Sequence, residues 1–168
     1  MNIIFASVAV GLGQLVIAIL FSVLALYIGF AVMSRLPHNI YVEKELENGN
    51  KAVGIVVFAV FIAIALVVES GISGLSGGIN KALNIGIFTG DGLVVVMVSI
   101  IQLIFGVVLA VAAIYLALNL FDRLTENVEE FRELKHGNIA VALEMAGIII
   151  TVAVIIQAGV IGITTSLM

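Results

Sequence analysis

Few residues in this chain could do chemistry, and the sharpest of them lie inside apolar runs. Glu144 stands six residues past Asn138, near the start of the last apolar run. That places it about 9 Å along a helix. An ionisable group at membrane depth is a functional candidate by default. Its chemistry would be proton or ion handling. The plainer alternatives are a glutamic acid that ties helices together, or one that snorkels to the interface. Tyr115 lies eight residues before Arg123, and Tyr27 holds the same position before Arg35. At about 12 Å depth, either hydroxyl could meet Glu144 in one inner layer.

A second polar layer is expected at the far end of the same runs. Glu69 lies eighteen residues past Lys51, about 27 Å along a helix, and Gln157 holds the matching place after Ile139. Gln14 and Gln102 lie 21 residues before Arg35 and Arg123, about 31 Å away. Interhelical hydrogen bonds, on the order of 0.6–2 kcal/mol each, explain such a layer. The alternative is a selectivity layer at a pore mouth. Gly11, Gly13, Gly54, Gly106 and Gly147 favour close helix approach and argue against a wide lumen within one bundle.

Other chemistries find no residues. The chain has no cysteine, which excludes disulfides, thiolate metal sites and a cysteine nucleophile. His38 and His136 occupy unmatched positions, so no two-histidine metal site is expected. Walker, HExxH and GxSxG patterns are absent, and Gly11-x-Gly13 lacks the rest of a dinucleotide fingerprint. Both polar connections are too short for a catalytic domain. Neither an enzyme nor a cofactor-binding protein is expected. A net charge of -4 without a basic run excludes nucleic acid.

The elements that position these residues follow from composition. Hydrophobic residues make up 62% of the chain and charged residues 11%, against about half and a quarter in soluble domains. Mean hydropathy is +1.31. The lipid bilayer must solvate most of this surface. Four apolar runs, roughly 3–33, 52–68, 93–121 and 139–163, are each long enough to cross it or nearly so. They are continuous rather than alternating, so helices are predicted. Met1–Phe5 carries no Lys or Arg, so the first run reads as a retained span. The connections 34–51 and 122–138 are polar, each expected to hold a short helical turn. Segment 70–92 is rich in glycine, carries only Lys81 and Asp91 as charges, and reads as a mostly uncharged loop, with a short interfacial helix around 79–88. Of the seven basic residues, all but Lys81 lie in the two polar connections. The positive-inside rule places those connections in the cytoplasm of a cell membrane, with both termini outside.

A shift of 88 residues aligns the two halves. Glu45-Leu46-Glu47-Asn48-Gly49-Asn50-Lys51-Ala52-Val53 meets Glu133-Leu134-Lys135-His136-Gly137-Asn138-Ile139-Ala140-Val141. In the same register Gln14 meets Gln102, Tyr27 meets Tyr115, and Arg35-Leu36 meets Arg123-Leu124. Such self-similarity predicts two copies of a two-span hairpin, divided as 1–92 and 93–168. Each copy holds an even number of spans, so both enter the membrane in the same direction. The predicted fold is all-α, with four transmembrane helices as two parallel tandem hairpins. Asn50 and Asn138 each precede a span and are suited to cap it. Gly49 and Gly137 permit a sharp turn, and Glu45 and Glu133 could reach the same helix N-terminus. The alternative for these corners is a cytoplasmic docking surface that includes Arg35 and Arg123.

Arg123-Leu124-Thr125, followed by Glu133-Leu134-x-x-Gly137-Asn138-x-Ala140-Val141-Ala142-Leu143, resembles the prokaryotic membrane family catalogued as domain of unknown function 350. The resemblance extends over both halves and is better in the second. It implies an accessory membrane role, with a link to envelope stress, and carries no catalytic residues. The leading expectation is a structural or accessory membrane protein that forms a homo-oligomer or binds a membrane or cytoplasmic protein partner. The alternative is a small oligomeric ion or proton channel that uses Glu144 and the outer Gln/Glu layer.

Overall fold

The computed structural model describes residues 2–33, 41–86, 88–124 and 130–167. They form six helices: α1 Asn2–Met33, α2 Val42–Glu47, α3 Lys51–Ile85, α4 Gly90–Leu124, α5 Glu130–Lys135 and α6 Ile139–Leu167. All four apolar runs become helices long and apolar enough to cross a membrane, and the described residues contain no strand. The short α2 and α5 are the turns expected in the polar connections.

The second run extends further than its hydropathy suggests. Segment 70–85, read as loop, continues α3 without a break. Glycine weakens a helix by about 1 kcal/mol per position, so something must offset it. Close packing does. A Cβ on Gly71 would overlap the Leu103 side chain of α4, and one on Gly78 would overlap Ser99. Glycine is what lets the two helices come this near. Ser70 and Ser99 donate their hydroxyls to Val67 O and Val95 O at 2.8 Å, which satisfies both inside an apolar contact. The interfacial helix expected around 79–88 is therefore the end of α3. Gly86, at φ +98°, stops it. The turn into α4 closes with Thr89 N–H donating to Gly86 O and Gly92 N–H to Thr89 Oγ1. At 35 residues each, α3 and α4 are about 52 Å long, beyond a ~30 Å core.

The packing centres on α3, which lies against α1, α4 and α6, with α4 also touching α6. Val53, Val56, Val60, Ala63 and Val67 recur along α3 at three- and four-residue spacing. They share one core with Ala142, Met145, Ala146, Ile149 and Ala153 of α6. Alanine at so many of these positions keeps the α3–α6 axes close. The outer helix α1 docks on α3, where a Cβ on Gly29 would overlap Ile64, while Leu12, Leu20 and Val23 stay exposed.

Candidate functional site

Each motif position at the two corners has a mechanical role. At the first, α2 ends in a left-handed Gly49 at φ +76°. Its N–H donates to Leu46 O at 2.9 Å, and Asn50 N–H donates to Glu45 O at 2.9 Å. This pair of bonds is a Schellman cap. Asn50 then caps α3, its Oδ1 accepting from Ala52 N–H at 3.1 Å and Val53 N–H at 3.3 Å. Its Nδ2 donates to Glu45 Oε2 at 3.0 Å. Glutamate thus reaches the helix start through the asparagine amide.

The second corner repeats this bond for bond. Gly137, at φ +82°, donates to Leu134 O, and Asn138 N–H donates to Glu133 O, both at 3.0 Å. Asn138 Oδ1 accepts from Ala140 and Val141 N–H at 3.1 and 3.4 Å, and its Nδ2 donates to Glu133 Oε2 at 2.9 Å. The corners also lie side by side. Asn50 Nδ2 donates across to Leu134 O and Lys135 O at 3.1 and 3.2 Å, two of the carbonyls that end α5. Arg35, Pro37 and His38 lie outside the described residues, as does the side chain of Arg123.

The outer layer is partly assembled. Gln157 Nε2 donates to Glu69 Oε2 at 3.0 Å. Gln102 is half-buried on α4, next to the Leu103 that meets Gly71, and so lies within a turn of Glu69's level. Gln14 is also half-buried, and its Nε2 has no hydrogen-bond partner among the described residues.

The inner layer differs from expectation. Glu144 is exposed on α6, Tyr27 is 73% exposed on α1, and Tyr115 is exposed on α4. No hydrogen bond joins Glu144 to either tyrosine among the described residues. The reason is helical phase. Val141, Ala142, Met145, Ala146 and Ile149 turn into the core, which leaves Leu143, Glu144, Gly147 and Thr151 on the opposite face.

One polar group escaped the sequence reading. Glu130 opens α5 and is 1% exposed, with neither carboxyl oxygen hydrogen-bonded among the described residues. The same 88-residue shift sets it against Val42, which opens α2 and is also 1% exposed. Comparing the halves for mismatches, as with Glu144 against Val56, would have found it. No group of three or more His, Asp or Glu capable of holding a metal occurs among the described residues.

Residues 95–168, which span nearly all of α4 through α6, match the family model described as Domain of Unknown Function (DUF350). The match is confined to this second half, where the resemblance was expected to be better. No curated protein and no solved structure matches the chain. With four helices fit to cross a bilayer, the chain is a multi-pass membrane protein whose residues 95–168 match the family described as Domain of Unknown Function (DUF350).

Proposed function

We propose that this is a structural or accessory membrane protein that self-assembles in the bilayer through the outer face of α6. The observation that carries this reading is the exposure of Glu144. A carboxyl facing acyl chains costs on the order of 2.5–3.5 kcal/mol at the bilayer centre, and less at the shallower depth of Glu144. A second copy on the same face removes that cost by giving the group polar company. Gly147 and Thr151 beside it are small enough for close approach, as helix association in lipid requires. A homodimer would use this face twice, about a twofold axis.

The membrane arrangement belongs to the same proposal. Two hairpins, 1–92 and 93–168, enter the cell membrane in the same direction, with 34–51 and 122–138 cytoplasmic and both termini outside. Matching hydrogen bonds at the two corners support the tandem relation. The clustering of basic residues supports the orientation.

Light scattering in detergent tests the assembly. Wild type is expected above monomer mass, and Gly147→Leu is expected to reduce it to monomer. A monomeric wild type overturns the proposal. A second reading, an oligomeric ion or proton channel, draws on the same exposed carboxyl. Flux into liposomes that is lost in Glu144→Gln would select it, whereas silent liposomes with an intact oligomer retain the first. The chain lacks cysteine, so one placed at Thr89 reports topology. Labelling only from the cytoplasm reverses the orientation.

A further inference from the structure

An open groove of about 370 Å³ runs between α1 and α3. The two helices are pinched together at Gly29, against Ile64. The groove lies on the Ser22 side of that contact, up to two turns away along α1. Its walls are apolar, formed chiefly by Leu26, Ile64, Val68 and Ile72, and its polar atoms come from Ser22, Ser73 and Glu69. Ala65 at its edge and Glu69 are both exposed. The groove therefore opens on the outside of the protomer, where acyl chains lie.

The geometry points to a binding site for one phospholipid with a primary-amine headgroup. An acyl chain fills the apolar wall, and the ammonium pairs with Glu69. Two observations favour an amine over a phosphate contact. Among the described residues, Glu69 is the only charged one lining the groove. Gln157 holds Oε2 from the α6 side at 3.0 Å, which fixes the carboxylate and leaves Oε1 for a cationic donor. Depth agrees as well. Glu69 is eighteen residues past Lys51, about 27 Å along α3, where a ~30 Å core gives way to headgroups. This last step rests on the proposed arrangement, in which the α3 start marks the opposite membrane face.

The test uses the full chain in vesicles of equal phosphatidylethanolamine and phosphatidylglycerol, with retained lipid measured by mass spectrometry after mild detergent extraction. Wild type is expected to retain phosphatidylethanolamine preferentially. Glu69→Gln is expected to lower that preference about threefold, the scale of a partly exposed ion pair, and Glu69→Asp to keep it. Ala65→Trp, which fills the groove, is expected to reduce retained lipid of both kinds. An unchanged preference in Glu69→Gln, with helical content intact, overturns the headgroup assignment. Unchanged retention in Ala65→Trp overturns the groove itself. The chain has no tryptophan, so the same indole reports depth. Quenching by brominated acyl chains is expected, and its absence overturns the membrane placement separately from the lipid preference.

Discussion

Glu69 and Gln157 are hydrogen-bonded at 3.0 Å although 88 residues separate them. That separation is also the offset at which the two halves of the chain align. Each residue therefore touches its own counterpart in that alignment, as the proposed pair of tandem hairpins would require near its axis. The contact joins α3 to α6, the most extensively packed helix pair. Gln157→Leu removes the donor and leaves the carboxylate facing an isobutyl group. We expect a loss of about 1 kcal/mol in the α3–α6 association, the scale of interhelical polar contacts in lipid. Glu69→Gln keeps a donor–acceptor pair and should cost less. Reversible unfolding in mixed micelles gives both values, and equal losses would deny the contact its energetic role.

The two corners look alike but should respond differently to the same change. Either asparagine caps its span, so Asn50→Ala and Asn138→Ala each forfeit about 1 kcal/mol. Asn50 does more, since its amide also serves Leu134 O and Lys135 O of the other corner. Asn138 bonds within its own corner among the described residues. Asn50→Ala should therefore exceed Asn138→Ala by about another 1 kcal/mol. Thermal unfolding of the two variants in one detergent checks the ranking, and the reverse order would sink it.

Glycine serves two separate purposes, and two substitutions distinguish them. Gly137→Ala forces a Cβ into left-handed backbone at φ +82°, where it would meet only Asn50 Oδ1 at an ordinary contact distance of 3.9 Å. The cost should be conformational, about 1–2 kcal/mol. Gly78→Leu sits in ordinary helix but drives into Ser99. It should separate α3 from α4 and cost about 1–3 kcal/mol or more by overpacking. A disulfide between cysteines introduced across α3 and α4 near this level should form in the first variant and fail in the second.

Local chemistry explains which parts were legible in the residues alone. At Glu45–Asn50 and Glu133–Asn138 most of the bonds lie within six residues, so side-chain chemistry and spacing were enough. The Gly-rich 70–85 segment misleads because glycine reads as a breaker in water. Here the bare face is filled by Leu103 against Gly71 and Ser99 against Gly78, from the helix beyond the next turn. The outward phase of Glu144 was equally hidden. A helix apolar all round does not declare which face meets its neighbours. Only the alanines of α3 and α6, once packed, fix that rotation.

Burial of Glu130 leads to the last prediction. The first corner places Val42 where the second places Glu130, and both positions are closed to solvent. A buried carboxyl without a hydrogen-bonding partner costs free energy that an apolar side chain of similar reach does not. Replacing buried ionic groups by packed apolar ones is often neutral or stabilising, by about 1–4 kcal/mol. The chain already shows that valine fits this place in a similar corner. Glu130→Val should therefore raise the unfolding midpoint rather than lower it, with α5 still docked against α6. A drop in midpoint, or protease cleavage newly appearing at 130–135, would mean that the carboxyl holds the corner together. It would then belong with Glu133 as part of the corner's structure.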